Sequence, residues 1–148
     1  MASDGARSLS NLTSKQGLAA PLRCTQRRGV RAREKLAAWS VTPPQYALLK
    51  VLWDRDGQSG AAIGSRLVID SATITGVIDR LEEAGLLERR ADDGDRRVHR
   101  LFLTARGQGL QEPLDAAMDQ LNAEVRVELK GQARALWDGL RRLGEAGT

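Results

Sequence analysis

Apolar residues along the chain recur at helical spacing, then at every second position, then at helical spacing again. Leu22, Val30, Leu36 and Trp39 mark a first helix within 17–41, with Pro21 suited to its opening turn because a helix start can lack an N–H without losing a bond. Gly29 weakens it, and Arg27, Arg28, Arg31 and Arg33 make most of its surface cationic. Such a helix holds only when packed on something else. Thr42 before Pro43 reads as N-cap then first helical position, and Tyr46, Leu49, Leu52 and Trp53 follow along one side until Asp56-Gly57. A short third helix, from Ser59 to about Val68, buries Ile63 and Leu67. Asp70-Ser71 caps a fourth that turns Ile74, Val77, Ile78 and Leu81 inward and ends at Gly85.

The period then falls to 2. Residues 86–90 and 98–103 read as short strands around the polar turn of residues 91–95, which makes a hairpin. From Thr104 the chain returns to helix, with Leu110, Leu114, Ala117, Met118, Leu121 and Val125 in one apolar stripe, an interruption at Gly131, and a last amphipathic helix carrying Leu136, Trp137, Leu140 and Leu143. Residues 1–16 are small and polar and predict a mobile tail. The expected order is α-α-α-α-β-β-α-α.

Composition narrows the chemistry. At 148 residues and 41% hydrophobic, the chain makes one domain with a modest core. A single Cys excludes an internal disulfide, and one His beside one Cys leaves too few soft ligands for a protein zinc site; no metal or cofactor is expected. Ser/His/Asp and Cys/His catalysis would both have to use His99, so an enzyme has little to work with. No apolar run approaches the roughly 18 residues that span a bilayer, and the N-terminus lacks a signal peptide's apolar block. A soluble cytoplasmic protein is expected.

The formal charge of +4 is unevenly placed: residues 1–40 hold eight Lys or Arg against two Asp or Glu, net +6, which leaves the remainder at net −2. The asymmetry points to an anionic partner, nucleic acid first, although a solvated basic tail produces it as well.

Short helices followed by a two-stranded hairpin make a winged helix-turn-helix. In that arrangement the second helix of the turn pair enters the major groove by its N-terminal residues. Here they are Ser71, Ala72, Thr73, Ile74, Thr75 and Gly76: small, partly hydroxylic, with no acidic group before Asp79 and with a helix N-terminus that favours a phosphate. An ordinary N-cap with a polar outer face has the same residues. The hairpin tips the balance. Six arginines (Arg89, Arg90, Arg96, Arg97, Arg100, Arg106) lie between Leu86 and Arg106, with Arg96-Arg97 just past the turn, where a wing tip meets the minor groove or phosphates. Of the nearby Asp92, Asp93 and Asp95, one carboxylate can hold an adjacent Arg in a single orientation.

Residues 42–107 resemble the DNA-binding lobe of the MarR family of bacterial transcriptional regulators. The likeness rests on Thr42-Pro43-Pro44-Gln45-Tyr46, on residues 75–86 (TGVIDRLEEAGL), and above all on residues 95–107 (DRRVHRLFLTARG), which fit the pattern D-x-R, alternation, then L-T-x-x-G. The resemblance implies a mainly α fold, a winged helix-turn-helix with dimerisation helices at 17–41 and 108–148. It implies Arg97 as the minor-groove residue with Asp95 its orienting partner, and Ser71, Thr73, Thr75 and Gly76 at the groove-facing helix start. Gly76 departs from the longer, often basic residue common there. Val68 departs from a common Gly, and a β-branched residue is costly if the turn needs a left-handed backbone. Arg80 falls on a family Arg that either contacts phosphate or forms a salt bridge to an acidic residue near the wing.

The resemblance further implies a homodimer on a pseudo-palindromic duplex operator, repressing until a small-molecule effector changes the spacing of the two recognition helices. The stripe from Leu110 to Val125 agrees, since it exceeds what one small wing domain covers. A pocket between dimer helices and wing domain would be lined by Trp39, Tyr46, Trp53 and Met118, residues that equally suit plain core packing. Some relatives sense peroxides through a Cys on the first helix. Arg23, Arg27 and Arg28 would favour a Cys24 thiolate, but Tyr46 is the sole Tyr to support it. The competing class is a nonspecific architectural or protein-interaction module without an effector, which would bind all DNA alike and lose affinity steeply with salt.

Overall fold

The computed structural model describes residues 29–132, 134–136, 138–139 and 142. The tail over 1–16, Cys24 and the rest of 17–28, Trp137, Leu140 and Leu143 lie outside the described residues. Residues 29–36 form α1, which tightens into a 3-10 turn over Ala37–Trp39 and stops at Ser40 in a left-handed conformation, φ 55°. Next comes α2, Pro43–Asp54, opened by Pro43 and by the Thr42 N–H donating to Gln45 Oε1 at 2.8 Å. Leu48, Leu49, Val51 and Leu52 are its buried face, with Tyr46 and Trp53 half-buried beside them. It ends earlier than expected: Arg55 is extended and the Gln58 amide caps the helix by donating to the Val51 carbonyl at 3.2 Å.

Gln58–Ser59 forms β1, an element absent from the expected order, paired antiparallel with Arg100 and Leu101. Ser59 also N-caps α3, Gly60–Leu67, its Oγ accepting from the Ala62 N–H at 3.2 Å. Val68 closes α3 with φ 55° and ψ 47°, the left-handed turn that a glycine would take without strain. Asp70 caps α4, Ser71–Glu83, which buries Ile74, Ile78 and Leu81. Gly85, φ +69°, releases the chain into β2, Leu87–Ala91. Its partner β3, His99–Leu103, runs antiparallel with Leu87 opposite Leu103 and Arg89 opposite Leu101. The wing is therefore part of a three-stranded sheet, order β1-β3-β2.

Thr104 caps the short helix α5, Ala105–Gly109, and Leu110 joins it to α6, Gln111–Glu128. Lys130 and Gly131, both at positive φ, end that stretch, and the described residues beyond it are helical from 134. One buried cluster runs from Leu36 through α2, α3, α4 and the sheet to Leu114. The α6 stripe is already largely covered within a single chain: Leu114, Ala117 and Leu121 are buried, so they are core and not a surface awaiting a second copy. Arg31 pairs with Glu124 at 2.9 Å and Glu128 at 2.7 Å, and Lys35 with Glu124 at 2.9 Å, tying α1 to α6.

Candidate nucleic-acid interface

With Ile74, Ile78 and Leu81 turned to the core, α4 exposes Ser71, Ala72, Thr73, Thr75, Gly76, Asp79 and Arg80. The hydroxyls are less free than their sequence implies. Thr73 Oγ1 donates to Asp70 Oδ2 at 2.6 Å, and Thr75 Oγ1 donates to the Ser71 carbonyl at 2.7 Å, so each keeps only acceptor capacity outward. The helix N-terminus is also partly occupied: Asp70 accepts the Thr73 N–H at 2.9 Å, and the Thr73 bonds hold its carboxyl below its ordinary range. A phosphate arriving here meets a carboxylate first. At Gly76 no atom stands within 4 Å of where a β-carbon would lie, so packing makes no demand for glycine.

The hairpin sorts its six arginines. Arg89 pairs with Asp79 and Glu82 of α4. Arg90 lies 4.4 Å over the Phe102 ring and pairs with Glu88. Arg100 pairs with Asp92 and donates to the Gly57 carbonyl at 3.1 Å, and Arg106 donates to the Ala84 carbonyl at 3.1 Å. Arg96 and Arg97 remain, exposed, with guanidinium groups that make no hydrogen bond or ion pair among the described residues. The same is true of Arg80, so the bridge between recognition helix and wing is made by Arg89 instead.

The expected Asp95–Arg97 side-chain pair is not formed: Asp95 Oδ1 accepts the Arg97 backbone N–H at 3.0 Å, which shapes the turn and leaves the guanidinium without a partner among the described residues. Asp92 organises the rest of the turn. Its Oδ2 accepts from the Gly94 and Asp95 N–H groups at 3.3 and 3.2 Å, while the Arg100 contact holds its carboxyl below its ordinary range. The tip is thus a shaped loop with a free Arg96-Arg97 pair.

The L-T-x-x-G pattern has a geometric cause. Thr104 Oγ1 donates to the Gly85 carbonyl at 2.6 Å and accepts the Gly107 N–H at 3.1 Å, and the Thr104 N–H donates to the Leu86 carbonyl at 3.1 Å. Gly107 is pressed so closely on Leu86 that a β-carbon would stand 1.9 Å from that carbonyl oxygen. One knot of residues fixes the end of α4, the wing and α5 together.

The four residues expected to line an effector pocket lie half-buried against the core. Tyr46 Oη donates to Asp115 Oδ1 at 2.8 Å, Trp53 Nε1 donates to the Gly107 carbonyl at 3.1 Å, and the two rings meet edge to face at 6.1 Å. Burial first, then Asp115, pushes the Tyr46 hydroxyl above its ordinary pKa. Among the described residues no group of three or more His, Cys, Asp or Glu could hold a metal ion, and no single helix is long and apolar enough to cross a membrane.

A reading helix, a basic hairpin tip and a helical frame define a winged helix-turn-helix protein. Residues 41–99 match the profile of the MarR family. The HTH-type transcriptional regulator TtmR of Methylorubrum extorquens (strain PA1) is 40% identical over 73% of this chain and 55% of its own length, so the chain spans about half of that relative. The PcaV transcriptional regulator of Streptomyces coelicolor, solved in complex with its natural ligand, superposes with a TM-score of 0.73 at 27% identity, over 92% of this chain and 95% of that one. Overoxidized AbfR bound to DNA shares the fold, with a TM-score of 0.73 at 23% identity over 99% of this chain and 98% of that one. Residues 41–99 of the chain are therefore a MarR-family domain, set in a fold shared with solved transcriptional regulators.

Proposed function

We propose that the chain acts in the cytoplasm as a homodimeric repressor that binds a pseudo-palindromic duplex operator and leaves it when a small-molecule effector binds. The observation that carries this is the Arg96-Arg97 pair: in a hairpin whose other arginines are all engaged, the guanidinium groups of these two have no partner among the described residues. Arginine without an internal partner suits phosphates or a narrow minor groove. Ser71, Ala72, Thr73, Thr75 and Gly76 face the major groove as acceptors and small contact surface, with Arg80 free for a phosphate. One chain offers one reading helix, and a palindrome requires two. The apolar side chains that stay exposed on the helical frame, Val30, Val127 and Leu136, are the surface for the second copy.

Release by an effector draws support from PcaV, a similar protein solved with its natural ligand. Trp39, Tyr46, Trp53 and Met118 pack half-buried against the core, with Tyr46 bonded across to Asp115 of α6, and an effector seated among them would favour one helix spacing over the other. A footprint on the DNA flanking the chain's own gene tests specificity and symmetry together. Two equal protected half-sites are expected, with Arg97→Ala weakening binding by about 1–3 kcal/mol. Uniform, salt-steep binding to every sequence would replace the regulator with an architectural protein. Unchanged affinity in Arg97→Ala would remove the wing assignment.

A further inference from the structure

The outward face of α4 carries two carboxylates, Asp79 and Glu82, three residues apart and so on one side of the helix. Nothing within the helix accounts for them. They repel each other, they sit in the half of the helix whose dipole is negative, and on a reading helix they would repel phosphates. Their partner comes from the wing. The period of 2 in β2 puts Arg89 on the same face as buried Leu87, toward α4, and its guanidinium reaches across both acids: Nη2 to Asp79 and Nη1 to Glu82. The Arg89 N–H adds a third link, to Glu82 Oε1 at 3.4 Å. The Arg89 side chain is only 27% exposed, so it is spent on this contact and is not presented to a partner.

Resting on the regulator reading above, we infer that Arg89 is a positioning residue for operator recognition: it locks wing to reading helix so that Arg97 and the α4 N-terminus meet the duplex at one fixed separation. A bidentate arginine suits this better than a lysine, because two donors on one rigid plane fix an angle as well as a distance. Two carboxylates near the DNA are more tolerable because the same guanidinium binds both and offsets half of their charge.

The test compares the wild-type chain with Arg89→Met, Arg89→Lys and the triple variant Arg89→Met, Asp79→Asn, Glu82→Gln. Operator affinity is read by fluorescence anisotropy across a salt series. Arg89→Met and the triple variant should both bind the operator roughly 10-fold more weakly, with Arg89→Lys between them and the wild type. The slope of log affinity against log salt should stay at its wild-type value in the triple variant, whereas Arg97→Ala should lower it by about one phosphate contact. Wild-type affinity in Arg89→Met overturns the inference, and so does wild-type affinity in the triple variant, which would reduce Arg89 to offsetting the charge of two acids. A lowered slope in the triple variant overturns it too, since Arg89 would then be touching phosphate. A measurement without DNA separates this inference from the regulator reading. With spin labels at Glu83→Cys and Asp93→Cys in a Cys24→Ser background, the helix-to-wing distance distribution should broaden in the triple variant. An unchanged distribution refutes the lock even if the chain proves to have no operator, and a broadened one supports it in that case.

Discussion

A β-carbon on residue 107 would stand 1.9 Å from the Leu86 carbonyl oxygen, and that oxygen is held by the Thr104 N–H, so neither side can yield. Gly107→Ala should therefore cost about 3 kcal/mol or more, read as a lowered midpoint in chemical denaturation. Val68 presents the opposite case. It is 91% exposed, so its side chain contributes almost no burial, yet it holds the left-handed turn between α3 and α4 against β-branched sterics. Val68→Gly should stabilise the fold by about 1 kcal/mol, the relieved strain exceeding the entropy that glycine adds to the unfolded chain. Val68→Ala, which keeps a β-carbon, should gain less; a thermal melt of all three chains decides it. The sequence showed both positions, the first through the spaced L-T-x-x-G pattern and the second as a valine where glycine is common. Arginine roles were not legible at this scale. Six arginines in one hairpin look alike until the register of β2 and β3 decides which of them meets Asp79, Glu88 or Asp92.

Elements were legible where their signals are local. Thr42-Pro43, Ser59, Asp70, Gly85 and Thr104 each mark a boundary by their own chemistry, and α2, α3, α4 and the hairpin fall close to where those signals put them. By contrast β1 left no trace, since two residues have no period and its pairing with Leu101 and Arg100 comes from far along the chain. The junction between α5 and α6 is equally silent because Leu110 keeps helical dihedrals and the apolar spacing runs through it. Packing of α1 on α6 depends on charge as well as on Leu36. The bonds from Lys35 and then Arg31 hold the Glu124 carboxyl below its ordinary value of 4.5. A depressed folded pKa means the contribution is complete above the unfolded value and disappears as pH falls through the folded one. Melting temperature should accordingly fall below about pH 4.5 by more in the wild type than in Glu124→Gln, and high salt should shrink the difference.

For the whole molecule, net charge and local geometry point to different surfaces. The basic excess lies in residues 1–40, whereas the uncommitted arginines of the candidate interface lie in the net acidic remainder. Apolar patterning erred, for it cannot tell a stripe that meets its own chain from one that meets a copy; Leu114, Ala117 and Leu121 are the former. The two glycines on either side of the wing also set unequal terms for descent. Position 107 admits no other residue, so mutations there are purged before anything about DNA is tried. At position 76 nothing surrounds the missing side chain, and almost any replacement but proline makes a better helix. Drift can thus try new outward chemistry in the middle of α4 at no cost in folding, and on the proposed reading that is an open path toward new operator preferences.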